Sequence, residues 1–221
     1  MSLKDIESYY KHSIENLENV KKFEKKMLKT YINKHITATL LDAGCGEGEF
    51  LKFLSEKYEK LNLIGIDISS HPLKSLYGRY NSIDVIRASI THLPFKESSF
   101  DYIISMGHVI GHCNKNEREN SIKEFCRCLT SNGKLLFSIW SKMSKYLKHL
   151  KNVNLPDLIQ VFDMKTKKHL LYLHFFKLSE IMKLLKKGNF EIEKLYFIKD
   201  DGTETKKDKE DIIEIVCVKS V

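Results

Sequence analysis

The run Leu40-Leu41-Asp42-Ala43-Gly44-Cys45-Gly46-Glu47-Gly48-Glu49-Phe50 constrains this chain more than any other segment. An apolar strand ends in an acid, and the backbone then turns through three glycines in five residues into a helix. Three of the ten glycines of the chain sit here. Glycine reaches positive φ without a Cβ penalty and lets a ligand approach the main chain, while the first turn of the helix presents unbonded N–H groups. The segment therefore suits a nucleotide-like ligand, although a plain tight turn would account for the glycines taken alone. The spacing G-x-G-x-G meets neither the phosphate-cradling G-x-x-x-x-G-K-[ST] nor the dinucleotide form G-x-G-x-x-G. An acid just before the turn favours a cationic ligand over a pyrophosphate.

A second strand, Leu63-Ile64-Gly65-Ile66-Asp67, closes on a carboxylate 19 residues after Gly48. At the C-terminal end of a neighbouring strand, such an acid is placed to accept both hydroxyls of a ribose. The competing role for Asp67 is helix N-capping together with Ser69 and Ser70.

The rest of the chain supplies the frame. Apolar spacings of three and four between Ile6 and Ile32 predict a helical prelude. Strands are predicted at Thr39–Asp42, Asn62–Asp67, Ile83–Ile86, Phe100–Met106 and Lys134–Trp140, with helices at Phe50–Tyr58, Pro72–Tyr77 and Glu117–Leu129. Alternation of this kind argues for a doubly wound α/β domain with a mostly parallel sheet covered on both faces. After Trp140 regularity lapses until a helix at Leu178–Lys187. Two last strands, Phe190–Ile198 and Asp211–Val218, read as an antiparallel hairpin on the sheet edge.

At 221 residues, with 42% apolar and 30% charged residues, the chain can bury roughly 70% of its unfolded surface, which excludes disorder and fibre. No uncharged apolar run is long enough for a membrane helix, and Asp5 and Glu7 stand where a signal peptide needs an apolar stretch, so a cytoplasmic protein is expected. The five cysteines form no C-x-x-C pair and read as free thiols, with no metal site. The net charge of +8 is concentrated between Lys142 and Lys187, where 11 Lys face Asp157, Asp163 and Glu180. A local positive field would draw a polyanion such as RNA. Against this, Lys outnumbers Arg 33 to 4, and Arg is the usual reader of phosphates and bases.

The glycine run, the strand ending in Asp67, and Leu93-Pro94-Phe95 before Phe100-Asp101-Tyr102-Ile103-Ile104-Ser105 resemble the class I S-adenosylmethionine-dependent methyltransferases. The resemblance implies a seven-stranded Rossmann-like sheet and S-adenosyl-L-methionine as cofactor. It implies that Asp42, Gly44, Cys45, Gly46 and Gly48 hold the methionine part, that Asp67 holds the ribose, and that Ile68 flanks the adenine. Ala88, Ser89 and Ile90 would line the other side of that ring, with Ser105, Met106 and His108 facing the sulfonium. Ser89 stands where the family usually has Asp, and Ser131-Asn132-Gly133 replaces its usual Pro-Gly-Gly turn. The chain is thus expected to be one methyltransferase domain over 1–221, with a helical lid (1–35), a cofactor core (36–140), a basic substrate-side insertion (141–176) and a C-terminal helix and hairpin (177–221).

His108 and His112, after the fourth strand, are candidates for a base or an acceptor-orienting group, and ordinary structural histidines are the competing reading. Tyr9 and Tyr10 are candidates for a lid. Glu117-Arg118, Leu136 to Trp140, and Tyr172-Leu173-His174-Phe175-Phe176 look similar to the tRNA wobble-uridine methyltransferases that esterify a carboxymethyl group, with Leu171 in place of that family's arginine. That likeness implies Tyr172, His174 and Phe176 on the substrate side, tRNA as acceptor, and a small zinc-binding activator subunit as partner. Two readings stand beside it: a small-molecule methyltransferase acting on a quinone or other metabolite, and a non-catalytic cofactor-binding partner subunit.

Overall fold

The computed structural model describes residues 18–33, 35–76, 83–143, 158–162, 169–199, 201–206 and 210–220. Five strands, β1 (Ala38–Ala43), β2 (Leu61–Asp67), β3 (Ile83–Arg87), β4 (Phe100–Ser105) and β5 (Leu129–Trp140), run parallel in the order β3-β2-β1-β4-β5. Helices α2 (Glu49–Ser55), α3 (Ser70–Leu76) and α4 (Lys115–Cys128) make the crossovers, and α5 (Leu178–Lys187) follows. The chain leaves β1 towards β2 on one side and later returns to β4 on the other. The connections that leave the C-terminal ends of β1 and β4 therefore run to opposite sides, a switch point that is the usual ligand position in such sheets.

The prelude is a helix, α1, over 18–31; Tyr9 and Tyr10 lie outside the described residues. Its Val20, Phe23, Met27 and Leu28 are buried with Leu51, Leu54, Leu73 and Leu76 of α2 and α3 on one face of the sheet. The other face packs Ile122 and Phe125 of α4 and Ile181 and Leu185 of α5. Each helix thus hides one apolar stripe, as helices covering a parallel sheet must.

The C-terminal strands pair antiparallel at the edge of the sheet, as expected, with the later strand on the inside. Strand β10 (Ile212–Lys219) inserts between β5 and β8 (Phe190–Ile198), antiparallel to both, and the two-residue β9 (Glu204–Thr205) forms the outer edge. The sheet therefore has eight strands, one more than expected. The reason is legible in side chains: Ile212 to Cys217 are all buried, so this strand needs cover on both faces and both flanks. Strand β8 is buried only at its ends, Phe190 and Ile198, and tolerates the outer place.

Strand β5 starts at Leu129, ahead of the expected Lys134, and absorbs Asn132 at φ 63° through a register shift opposite β4. The left-handed residue expected in the Ser131-Asn132-Gly133 turn is this asparagine. Between 141 and 176, β6 (Ile159–Phe162) and β7 (His169–Leu173) form a separate antiparallel pair that the sequence did not announce.

Candidate functional site

The glycine loop leaves β1 with Gly44, Gly46 and Gly48 at φ 91°, 51° and 75°. The amides of Gly44 and Cys45 donate to the Ile66 carbonyl at 2.8 and 2.9 Å, which pins the loop to the end of β2. A Cβ on Gly44 would stand 2.5 Å from Val109 Cγ2, and one on Gly48 2.5 Å from Leu76 Cδ2. One on Gly46 would meet nothing within 4 Å. The outer two glycines serve packing, whereas the middle one keeps main chain open to an approaching group.

Asp67 is held by two main-chain amides. Its Oδ2 accepts from the Gly46 amide at 3.0 Å and its Oδ1 from the Ser69 amide at 2.8 Å. The carboxylate thus shapes the loop and starts the next helical turn, and each oxygen keeps a lone pair for a further donor. It borders a cavity of about 420 Å³ that brings together Gly44, Asp67, Ile68, Ala88, Ser89, Ile90 and His112 from the expected set. Thr91, Val109, Cys113 and Glu117 complete the lining. Ser89 Oγ and Thr91 Oγ1 lie 2.9 Å apart, so the serine in the place of the family's aspartate is tied to its own turn.

Just ahead of the glycine loop β1 carries a buried acid. Asp42 is 1% exposed and its Oδ2 has no hydrogen-bond partner among the described residues. Burial pushes its carboxyl up to about 8, with Asp67 and Glu24 adding repulsion. Burial likewise raises the Cys45 thiol, helped by Asp42 and Asp67, so Cys45 stays protonated and is no nucleophile. Ser105 is fully buried and donates to the Ala43 carbonyl at 2.9 Å, locking the end of β4 to β1, and Met106 is buried beside it. The cradle fits a ligand that brings positive charge: an open main-chain approach, a bordering carboxylate, and a buried unpartnered acid oxygen.

The histidines divide. His108, at φ 63°, is buried and stacks on Trp140 with ring centroids 4.1 Å apart. Neither ring nitrogen has a partner among the described residues, and burial drives it down to about 3, so the ring is neutral and a weak base. His112 lines the cavity instead, its Nδ1 2.7 Å from the Tyr172 carbonyl. A carbonyl only accepts, so Nδ1 carries the proton and, in the neutral ring, Nε2 keeps a free lone pair.

Of the Tyr172, His174 and Phe176 set, packing absorbs two. His174 Nε2 lies 2.8 Å from Glu180 Oε1, its ring meets Phe176 edge-on, and Phe176 is fully buried. Arg118 of α4, 2% exposed, donates to the Cys113 carbonyl at 2.7 Å and lies over the Phe176 ring. Tyr172 is 38% exposed beside His112.

Sequence reasoning passed over Glu24 and Glu214. Both are acids within otherwise apolar patterns, at a core-facing position of α1 and in the middle of Ile212 to Cys217, and that contradiction of pattern was the available signal. Among the described residues no three His, Cys, Asp or Glu side chains gather as metal ligands, and no helix is long and apolar enough to cross a membrane.

Residues 40–133 match the family model described as a methyltransferase domain. An uncharacterized protein of Methanocaldococcus jannaschii is 32% identical over 149 residues, 60% of this chain and 55% of that one. The bovine "Probable tRNA methyltransferase 9B" is 32% identical over 106 residues, 48% of this chain and 22% of that one. The ubiquinone/menaquinone biosynthesis C-methyltransferase of Campylobacter jejuni is 31% identical over 130 residues, 57% and 53%. The chain thus spans about half the length, or less, of these relatives. Among solved structures, a SAM-dependent methyltransferase of Methanosarcina mazei superposes with a TM-score of 0.70 at 20% identity, covering 88% of this chain and 97% of that one. A chain of the complex that contains the Haloferax volcanii Trm112 methyltransferase activator gives 0.64 at 13% identity, covering 89% and 88%. These likenesses establish the Rossmann-like methyltransferase fold.

Proposed function

We propose that this chain, which carries a methyltransferase domain over residues 40–133, transfers a methyl group from S-adenosylmethionine to a substituent on an RNA nucleobase, most naturally in tRNA. The observation that carries the cofactor reading is the meeting of Asp67, the open Gly46 main chain and the buried Asp42 at the switch point between β1 and β4. Asp67 would take the ribose hydroxyls, the Gly44–Gly48 loop and Asp42 the methionine end. Ile68 and Ile90 would flank the adenine, with Ser89 beside it. When bound, the cofactor supplies a methyl group already activated on a sulfonium, so alignment contributes much of the acceleration. His112 is the better placed of the two histidines to orient an acceptor or take its proton, because its Nε2 lone pair is free at the cavity.

The tRNA reading is supported by the lysine surplus of residues 142–187 and by the likeness to the bovine relative. A small activator subunit as partner is supported by the fold likeness to the Haloferax volcanii chain. The competing acceptor is a quinone or other metabolite. It is favoured by the scarcity of arginine, 4 against 33 lysines, and by the likeness to the Campylobacter jejuni relative. The chain, alone and with a cognate activator, should be incubated with methyl-labelled S-adenosylmethionine and either bulk tRNA or a lipid extract. Label in tRNA that falls with salt is the expected result. Label only in lipid moves the acceptor to the second reading. Cofactor binding without label anywhere points to a non-catalytic subunit, and no binding refutes the function.

A further inference from the structure

Glu24 is out of place by composition. It sits on the sheet-facing side of α1 between Phe23 and Met27, is 2% exposed, and lies within the layer otherwise made of Leu, Ile and aromatic side chains. The Ser138 hydroxyl donates to it, and the Gly107 amide lies 3.5 Å from its Oε1. Ser138 in turn accepts from the His108 amide at 3.2 Å. Glu24 therefore ties α1 to the residues that follow β4, next to Met106. Asp42 and Glu214 are both near enough to repel it, and among the described residues Asp42 Oδ2 and both oxygens of the fully buried Glu214 have no hydrogen-bond partner.

The charged groups around Glu24 offer little relief. From α1 itself comes Lys21, but its ammonium lies 2.5 Å from Glu49 Oε2, and Glu49 at the start of α2 adds a like charge. Asp42 of β1 and Glu214 of β10 are like charges too, and His108 behind Ser138 is neutral. Buried carboxyls in such company persist only as protonated acids or opposite a cation.

We propose, on the cofactor reading above, that Glu24 belongs to the cofactor site: with Asp42 it faces the cationic methionine end of the donor, and donor uptake drives a proton from this buried pair into solvent. Before binding, the acids hold protons and keep α1 seated on the sheet. The donor's sulfonium and ammonium replace those protons as the compensating charge. The product S-adenosylhomocysteine has lost the sulfonium charge, so the same carboxylates hold it less well. The acids thus separate donor from product by charge, and α1 forms part of the cofactor site as well as cover for the sheet. Burial pushes Glu24 up to about 7, which places its proton within reach of this exchange at neutral pH. Burial, with Glu24 adding repulsion, also raises Glu214 well above the ordinary carboxylate range, but Glu214 stands outside the proposed contact with the donor.

The test is calorimetric titration of the chain with S-adenosylmethionine and with S-adenosylhomocysteine at pH 7, in buffers of different ionisation enthalpy, which counts protons released. Wild type is expected to release more protons on binding the donor than on binding the product. Glu24→Gln, which keeps the size and polarity of the protonated acid, should cut that release and weaken the donor about tenfold or more, the scale of a lost charge-assisted contact, with a smaller effect on the product. Glu214→Gln should leave the proton count as in wild type. Equal proton counts and an unchanged donor-to-product affinity ratio in Glu24→Gln would overturn the assignment while leaving the cofactor reading intact. A loss of proton release in Glu214→Gln and not in Glu24→Gln would overturn it as well. Failure of either nucleoside to bind wild type would remove the cofactor reading and this inference together.

Discussion

The ligand-free protein should lose stability as pH rises from 5 to 8, and Asp42→Asn should abolish much of that loss. Asp42 holds its proton up to about pH 8 in the folded chain, against an ordinary value of 3.8. Between these values the folded state keeps a proton that the unfolded state has released. Stability therefore falls with rising pH, by up to about 1.4 kcal/mol per pH unit. Below 3.8 both states are protonated and the effect vanishes; above 8 both are ionised and the penalty is complete. From pH 5 to pH 8 this one group should cost about 4 kcal/mol, a large share of the ~5–15 kcal/mol that stabilises a typical domain. Asparagine cannot ionise, and its amide resembles the protonated acid in size and polarity. Urea unfolding of wild type and variant at both pH values isolates the term, because Glu24 and Glu214 remain in both proteins. At a urea slope of roughly 2 kcal/mol/M, the wild-type midpoint should drop by about 2 M more than that of Asp42→Asn. A midpoint shift common to both proteins would refute the reasoning, since Asp42 would then titrate as an ordinary carboxylate.

Other outcomes are as specific. Asp67→Ala should weaken S-adenosylhomocysteine binding by about 1.5–3 kcal/mol in calorimetry, the scale of losing hydrogen bonds to a charged group, and an unchanged constant would place the ribose elsewhere. Gly46→Ala should cost only about 1–2 kcal/mol of stability, through its left-handed backbone, yet raise the dissociation constant of that nucleoside. Gly44→Ala should melt earlier than Gly46→Ala, because its Cβ would be driven against Val109. His174→Ala should lower stability by about 1–3 kcal/mol, through loss of the Glu180 contact, while turnover per folded molecule stays near wild type. A variant with an unchanged melting temperature and lost turnover would return His174 to the substrate side.

Much of the architecture was legible because local and long-range signals agreed. The five parallel strands and α5 fall where alternating apolar runs and a terminal Gly188 put them, and the glycine loop sits at the switch point. The insertion of β10 between β5 and β8 was not legible, since pairing order depends on competition among strands and the hairpin signal between Lys199 and Glu210 specified only neighbours. Within the site, backbone requirements show in sequence, so Gly44 to Gly48 and Asp67 emerged directly. Side-chain burial does not show: His108 and His112 are four residues apart and look alike, yet one stacks under Trp140 and the other lines the cavity. Tyr172, His174 and Phe176 suggested one surface, as alternation in a strand would give, but the strand ends at Leu173 and the chain beyond it sets His174 against Glu180 and Phe176 under Arg118. Glu24 and Glu214 were visible as acids in apolar patterns, although only three-dimensional packing reveals that Glu24 bonds Ser138, that Glu214 lies opposite Ser138 in the sheet, and that Asp42 is near Glu24.

The account rests on where a sulfonium nucleoside would lie. Co-crystallisation with S-adenosylhomocysteine tests it most directly: the ribose should contact Asp67 and the amino-acid end should cross Gly46 towards Asp42 and Glu24. Density for that nucleoside away from the glycine loop, or none in crystals grown at saturating concentration, would contradict it.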